Sequence, residues 1–234
     1  QKYLDTNPGL LIAIGGCMPQ EETVAEKLLK KPGQVDVVFG THNLDRLPEL
    51  IRKRDQSGKE EMEVYSEEGD IVEGIPKIRD HPFRAWVDIM YGCDEFCTYC
   101  IVPYTRGKER SRRMEDILDE ISALEKKGYR EVVLLGQNVN SYGLDLNDSD
   151  VTFANLLREL NKTGIDRIRF MTSHPKDFSG ELVDVMALGG NIMPYIHLPV
   201  QSGSNRILKS MNRKYTRESY LELVFAIKEK IPGI

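Results

Sequence analysis

Short apolar runs alternate with amphipathic stretches along most of the chain. The runs 10–16 and 35–40 have the length of buried strands, and each is followed by a segment whose apolar residues have helical spacing. Strands that alternate with helices in this way are typical of a parallel α/β layer. Only two such units precede Arg54, which is too few for a complete doubly wound domain. We therefore predict that residues 1–54 form part of an α/β domain.

Residues 55–80 interrupt this alternation. The segment holds seven acidic residues between Glu60 and Glu73, together with scattered glycine and proline and no sustained period. Charged, irregular segments of this kind are typical of connections between domains. We predict a linker that contains one short strand, with a domain boundary near residue 80.

The alternation resumes in residues 81–234. Four apolar runs predict four strands, at 84–91, 130–136, 167–173 and 195–202. Segments whose apolar residues have helical spacing separate these strands, and Gly128 stands where a helix C-cap belongs. Four strand–helix units cannot close an eight-stranded (β/α) barrel. We therefore predict an α/β core domain that stops before its barrel is complete.

Composition and apolar run length limit the cellular location of the protein. Hydrophobic residues make up 40% of the chain and charged residues 29%, as in ordinary globular proteins. No run of eighteen apolar residues exists, and the first ten residues have no secretory pattern. We expect a cytoplasmic protein without a membrane span. Because the sequence does not begin with Met, we also expect a piece of a longer protein.

Charge is distributed unevenly along the chain. The net charge is −5, and residues 1–80 carry 11 Lys/Arg against 16 Asp/Glu, whereas the remaining residues carry 21 of each. This balance excludes a protein that coats nucleic acid by bulk charge alone. One local basic patch exists, because residues 106–113 hold five positive charges against one negative charge. A solvated helix start and a phosphate contact are the two interpretations of this patch.

Three of the four cysteines fall within eight residues. Cys93, Cys97 and Cys100 have the spacing C-x3-C-x2-C directly after an apolar strand, where the active sites of parallel α/β folds lie. Three thiolates can hold three corners of a cubane iron–sulfur cluster, which leaves one iron open to an outside ligand. The alternative is structural zinc with a fourth ligand from His81 or Cys17, in a non-catalytic module that docks a partner.

With Tyr99 before the last cysteine, the triplet resembles the motif of the radical S-adenosylmethionine (SAM) enzymes. In that family the open iron chelates SAM, and one electron from the cluster breaks an S–C bond to give a 5′-deoxyadenosyl radical. The resemblance implies that Cys93, Cys97 and Cys100 ligate a [4Fe–4S] cluster. It also implies that Tyr99 lies at the cofactor.

Four blocks in order resemble the methylthiotransferases within this family: CTYCIVPYTRGKERSRR, LLGQNVNSYG, RIRFMTSHP and HLPVQSGSNRILKSMNRKYT. The resemblance covers nearly all of residues 10–231. It implies an enzyme that adds a methylthio group to the C2 carbon of N6-isopentenyladenosine beside the tRNA anticodon. Its implied partners are tRNA, SAM and an electron donor such as flavodoxin or ferredoxin. Relatives with the same chemistry act on threonylcarbamoyladenosine in tRNA or on a ribosomal-protein aspartate. The block CIVPYTRG resembles the enzymes that act on isopentenyladenosine best.

The resemblance also implies a second [4Fe–4S] cluster. Methylthiotransferases hold it with three cysteines of an N-terminal domain, and Cys17 matches the third. We therefore expect residues 1–54 to be the C-terminal part of that domain. The other two ligands and the RNA-binding TRAM domain of the family have no counterpart in the chain, so this piece could be inactive alone.

Further site residues are implied at the ends of the predicted strands and in the basic patch. Hydrogen-bonding side chains that follow strands are candidate contacts to SAM, with ordinary loop polarity as the alternative: Gln137, Asn138, Ser173, Gln201 and Ser202. The basic patch and one aromatic residue are candidate contacts to the anticodon loop: Tyr104, Arg106, Lys108, Arg110, Arg112 and Arg113.

Overall fold

The computed structural model describes residues 6–7, 9–29 and 34–234, which divide between two units. The first unit comprises residues 1–75 and 101–107, and the second comprises residues 76–100 and 108–234. The sequence suggested a boundary near residue 80, and in the structure it falls at 75/76. Residues 101–107, which directly follow the cysteine triplet, belong to the first unit.

The first unit is built on a parallel three-stranded sheet. Its strands β1 (Ala13–Gly15), β2 (Val37–Phe39) and β3 (Glu61–Glu63) lie in chain order. The central strand is buried on both faces because its side chains alternate between two apolar clusters. The cluster around Val38 includes helix α1 (Glu22–Leu29), and the one around Val37 includes α2 (Leu47–Ser57).

Part of the predicted linker 55–80 forms regular structure instead. Helix α2 continues to Ser57 and ends at Gly58, which adopts a φ of +65° that glycine tolerates. Strand β3 follows and pairs with β2. The acidic side chains of β3 suit its position at the edge of the sheet, where charges oppose unwanted strand pairing. Strand β3 is the short strand predicted within this segment, and residues 64–80 form no helix or strand.

The second unit contains a parallel sheet of β4 (Arg84–Asp88), β7 (Glu131–Leu135) and β8 (Arg167–Phe170). Alternate side chains of these strands enter one large apolar core, to which most helices of this unit also contribute. The helices are α4 (Met114–Lys126), α5 (Phe153–Leu160), α6 (Gly180–Ala187), α7 (Asn205–Ser210) and α8 (Arg217–Lys230). A small antiparallel pair, β5 (Met90–Tyr91) and β6 (Arg110–Ser111), follows β4, and helix α3 (Val102–Thr105) belongs to the first unit.

The fourth predicted strand, 195–202, is not formed, so that prediction is wrong. Pro199 interrupts the segment and Pro194 directly precedes it, and neither residue can donate to a strand ladder. A single bridge between Ile168 and Ile192 stands in its place. Within the described residues the sheet of this unit has three strands and does not close. The prediction of an α/β fold with a partial (β/α) barrel is confirmed.

Two helix ends carry residues that favour capping. Gly128 follows α4 with a φ of +86°, as predicted for a C-cap glycine. Thr152 caps α5 by accepting a hydrogen bond from the Asn155 amide. Among the helices that the structure describes, none is both long and apolar enough to cross a membrane.

Candidate active site

The cysteine triplet lies in the loop that follows β5. Gly92 and Phe96 turn this loop with φ values of +77° and +45°, and the Cys100 amide donates to the Cys97 carbonyl over 2.9 Å. All three thiols are free and half-buried. The loop therefore presents three sulfur donors, within eight residues, beyond the carboxyl end of a strand pair.

Burial opposes ionisation of the Cys93 and Cys97 thiols. It raises the pKa of Cys93 to about 12, and it also raises the pKa of Cys97, where the charge of Arg213 acts in the opposite direction. Iron binds the thiolate, so assembly of a cluster on this loop must release protons.

The donor set fits a cluster with one open iron better than it fits zinc. Among the described residues, only Glu95, His174 and Asp177 bring three metal-ligating atoms within 4.8 Å of one another, and the three cysteine sulfurs do not. Thiolates around one tetrahedral zinc ion lie roughly 3.8 Å apart, as bonds of about 2.3 Å require. Three spaced thiols without a nearby fourth suit a larger cubane.

A cavity of about 270 Å³ adjoins the cysteine loop. Five carboxylates and one lysine dominate its wall: Asp94, Glu95, Glu109, Asp145, Asp177 and Lys176. They come from the cysteine loop, the β6 hairpin and the loops that follow β7 and β8. The cavity therefore lies among the loops that follow β7 and β8, where the sequence predicted contacts to the cofactor.

Charge in this cavity is only partly compensated. The Lys176 ammonium donates to Glu95 over 2.7 Å, and this hydrogen bond raises the pKa of Lys176. Burial, reinforced by Asp94 and Asp177, raises the pKa of Glu109 to about 7. The cavity thus suits a cationic or hydrogen-donating ligand, and one of its carboxyl groups exchanges a proton near neutral pH.

His174 lies beside Glu95 and Asp177 of the cavity wall, with its ring nitrogens 3.8 Å and 3.9 Å from their carboxylate oxygens. Its Nδ1 accepts a hydrogen bond from the Lys176 backbone amide over 3.3 Å. In this tautomer the hydrogen of the neutral ring lies on Nε2, and that nitrogen is 3.8 Å from Glu95 Oε2. Burial lowers the pKa of His174 and favours this neutral form. An ion at the Glu95–His174–Asp177 group would therefore require the other tautomer, in which the lone pair lies on Nε2.

Three of the predicted SAM contacts carry buried polar atoms at strand ends. Asn138 is 1% exposed and donates to Asp177 over 2.7 Å. Its Oδ1, the Gln137 Oε1 and the Ser173 Oγ are buried and find no hydrogen-bond partner among the described residues. Because buried polar groups ordinarily have partners, these atoms fit a polar ligand such as SAM.

The two remaining candidates lie in irregular structure. Gln201 is exposed with a φ of +65°. The Ser202 hydroxyl accepts a hydrogen bond from the Ser204 amide over 3.1 Å. Both were predicted to follow a strand, and that strand is absent. Tyr99 is exposed, and its hydroxyl accepts a hydrogen bond from Arg213 over 2.5 Å.

The residues of the basic patch 106–113 divide between the two units and differ in their hydrogen-bond partners. Arg106 belongs to the first unit, where its Nε donates to Cys17 Sγ over 3.2 Å. Arg112 is 4% exposed and donates to the Asp88 carbonyl and to Glu120, so its prediction as an RNA contact is wrong. A charged side chain that is enclosed and paired cannot meet a phosphate.

The other predicted RNA contacts differ in accessibility. Lys108 is exposed, Arg110 is half-buried in β6, and the side chain of Arg113 is 74% exposed near Glu115. Tyr104 in α3 is 70% exposed.

Cys17 lies in the first unit just beyond β1. Gly16, with a φ of +111°, turns the chain directly before it, and the thiol is half-buried. The sulfur of Cys17 accepts a hydrogen bond from Arg106. The sequence had predicted that Arg106 contacts RNA, and it gave no sign of this contact with a cysteine.

Several residues of this site were missed from the sequence. Glu109 was counted only as the single negative charge of the basic patch, although an isolated carboxylate in such a run is a usable signal. Glu95, Lys176 and Asp177 were likewise not singled out. Their pairing joins residues 81 positions apart, which no local pattern reveals.

Residues 87–234 match the radical SAM superfamily, and the chain belongs to it. This family implies a [4Fe–4S] cluster and SAM as cofactors. The chain is 58% identical, over 97% of its length, to the tRNA-2-methylthio-N(6)-dimethylallyladenosine synthase of Staphylococcus epidermidis strain RP62A. It is 57% identical over the same share to the enzyme of that name from Staphylococcus aureus strain JH9. In both comparisons it spans 44% of the relative's length.

Solved structures of distant relatives share the fold. The cobalamin-dependent SAM radical enzyme OxsB aligns with 98% of this chain and 40% of its own, with a TM-score of 0.59 and 15% identity. The radical SAM methyltransferase TsrM from Kitasatospora setae aligns with 64% of this chain and 29% of its own, with a TM-score of 0.51 and 19% identity. At these identities the likeness concerns the fold alone.

Proposed function

We propose that the chain is the central part of a tRNA methylthiotransferase that modifies the C2 carbon of N6-isopentenyladenosine beside the anticodon. The observation that carries this proposal is the 58% identity, over 97% of the chain, to curated tRNA-2-methylthio-N(6)-dimethylallyladenosine synthases. Because the chain spans 44% of their length, substrate and partners belong to the longer protein.

In this proposal the second unit binds the radical-generating cofactors. Cys93, Cys97 and Cys100 hold a [4Fe–4S] cluster, which when bound supplies the electron that cleaves SAM. The unpaired buried atoms of Gln137, Asn138 and Ser173 support a role in orienting SAM. Tyr99, Gln201 and Ser202 complete the proposed set.

The acidic cavity has a role in the same proposal. SAM carries a sulfonium and an ammonium group, and carboxylates of this cavity balance such charges at close range. Lys176 holds Glu95 in place, and the Glu109 carboxyl exchanges a proton at neutral pH.

The first unit contributes one ligand to a second cluster. Cys17 fits this role as a half-buried thiol that accepts a hydrogen bond from Arg106. Such a bond supports an anionic sulfur ligand. Two further cysteines from outside this chain complete the proposed set.

For RNA binding we propose Tyr104, Lys108, Arg110 and Arg113. The exposed ring of Tyr104 is available to stack on an unstacked base, and the exposed cations of Lys108 and Arg113, with the half-buried Arg110, can meet phosphates. Arg106 is not included in this set, because its guanidinium donates a hydrogen bond to the Cys17 sulfur. The proposal also includes a cytoplasmic location and a flavodoxin- or ferredoxin-like electron donor.

The test uses a protein that contains this chain and spans the full length of its relatives. After anaerobic cluster assembly it is incubated with SAM, a reductant and isopentenylated tRNA, and the nucleosides are analysed by mass spectrometry. We expect the 2-methylthio nucleoside from the unmodified protein and from the surface variant Glu222→Gln, and none from Cys93→Ala. Modification of threonylcarbamoyladenosine or of a ribosomal-protein aspartate instead would contradict the substrate assignment.

A further inference from the structure

The turn at the end of α7 contacts the cysteine loop directly. Thr98, which lies between Cys97 and Cys100, donates from its hydroxyl to the Ser210 carbonyl over 3.1 Å. Its amide donates to the Met211 carbonyl over 3.2 Å. Residues more than a hundred positions apart are thus joined at the centre of the predicted cluster motif.

Asn212 continues this contact through its side chain. Its Nδ2 donates to the carbonyls of Glu95 and Phe96, over 3.2 Å and 3.0 Å. Lys214 donates to Oδ1 of the same amide over 2.7 Å, which fixes the amide orientation. Asn212 itself has a φ of +59°, a conformation that asparagine adopts more readily than most residues. The amide therefore holds the strained turn at Phe96, whose φ is +45°.

Arg213 adds a positive charge at the same loop. Its Nη2 donates to the Tyr99 hydroxyl, and its guanidinium carbon lies 5.8 Å from the centre of that ring. Its Nε is buried and has no hydrogen-bond partner among the described residues. The cation thus brings an unused donor to the segment that carries Cys97 and Cys100.

We propose that Asn212 and Arg213 are positioning residues that hold the cysteine loop ready for its cluster and set the cluster's reduction potential. The proposal rests on the cluster-ligand role of Cys93, Cys97 and Cys100. The turn at 210–213, named here the α7 turn, makes five side-chain or backbone hydrogen bonds to residues 95–99. A loop that is already ordered loses less conformational entropy when it binds a ligand.

The charge of Arg213 has a separate consequence. A thiolate-ligated cluster is anionic, and a nearby cation stabilises the reduced form more than the oxidised form because the reduced form carries one more negative charge. Removal of the cation should therefore shift the reduction potential to a more negative value. Lysine at the same position keeps the charge, although it loses the planar donor fork.

Hydrogen exchange of the iron-free chain tests the loop-holding role. Asn212→Gly permits the left-handed backbone and removes only the amide, whereas Arg206→Gln on the exposed face of α7 is the matched control. We expect amides in residues 93–100 to exchange on the order of thirtyfold faster in Asn212→Gly, because this variant lacks the two hydrogen bonds from the Asn212 amide to the loop. Exchange equal to that of the control would overturn this role.

Potentiometry of the reconstituted chain, followed by electron paramagnetic resonance, tests the charge. Arg213→Gln should shift the midpoint to more negative values, and Arg213→Lys should keep it near that of the unmodified chain. A midpoint that is the same in both variants would overturn the proposal for Arg213. Iron content should fall severalfold in Asn212→Gly, and a merely structural role of Arg213 would lower iron content without moving the midpoint.

The two proposals fail in distinguishable ways. An unmodified chain that assembles no iron–sulfur cluster overturns the proposed function. A chain that assembles one equally well in all variants, with equal exchange and equal midpoints, overturns the role of the α7 turn alone.

Discussion

The Nε of Arg106 donates a hydrogen bond to the sulfur of Cys17 over 3.2 Å, between residues 89 positions apart. Arg106 follows the cysteine triplet in sequence, yet it belongs to the first unit together with Cys17. A second hydrogen bond, from the Thr41 hydroxyl to the Thr105 carbonyl, also joins residues 101–107 to the rest of that unit. The segment after the triplet therefore completes the surroundings of a different cysteine.

This relationship predicts a cluster-retention defect in Arg106→Gln. In a protein that spans the length of its relatives, the variant should release iron from the second cluster to a chelator about tenfold faster. Loss of an outer partner typically weakens metal binding by such a factor. Absorbance during chelation follows the release, with Arg113→Gln as control. Equal release rates in the two variants would argue against a role for Arg106 at Cys17.

Glu109 predicts a pH dependence of stability in the iron-free chain. Because its folded pKa, about 7, is raised above the ordinary value of 4.5, the folded state binds the proton more tightly. The free energy of unfolding should therefore fall as pH rises from about 4.5 to 7. In Glu109→Gln this fall should shrink by about 1–2 kcal/mol, a figure discounted for partial exposure. Urea titrations at pH 5 and pH 8 measure it, with Glu222→Gln as control, and an unchanged slope in Glu109→Gln would refute the assignment.

The Lys176–Glu95 pair predicts a coupling energy. Lys176→Met leaves the buried Glu95 carboxylate without its cation and should destabilise the chain by about 1–3 kcal/mol. Adding Glu95→Gln removes the uncompensated charge and should recover part of this loss. Chemical unfolding of both single variants and the double variant completes the cycle. Strictly additive effects would mean that the two groups do not interact.

Packing around α5 predicts a large effect at one leucine. Leu157 is fully buried in the core of the second unit, so Leu157→Ala should cost about 3 kcal/mol of unfolding free energy. Leu188, exposed at the end of α6, provides the matched control, and Leu188→Ala should cost less than about 0.5 kcal/mol. Similar losses in both variants would contradict the description of this core.

Much of the fold could be predicted from periodicity. The apolar runs at 130–136 and 167–173 became β7 and β8 because alternate residues enter the core. The run at 195–202 formed no strand, because Pro199 within it and Pro194 directly before it remove ladder donors. Strand β3 was expected only within a linker, since an acidic edge strand has no apolar pattern to identify it.

The candidate site was predictable only where its residues are neighbours in sequence. Cysteine spacing identified the triplet, since three ligands on one loop form a local pattern. The contact between Asn212 and the loop at Phe96 was missed. It joins residues 116 positions apart, because the end of α7 packs beside the loop that follows β5. Arg112 was misassigned for the same reason, since a basic run does not show which cation turns inward to a carboxylate such as Glu120.

The central claim is that Cys93, Cys97 and Cys100 together hold one iron–sulfur cluster, and metal analysis of the anaerobically reconstituted chain tests it most directly. We expect a brown protein with about four irons and four sulfides, which produces 5′-deoxyadenosine from SAM on reduction. Alanine at any of the three positions should abolish the colour, whereas Cys17→Ala should leave it. A colourless chain with one tightly bound zinc, or a triplet variant with the full iron content, would contradict the account.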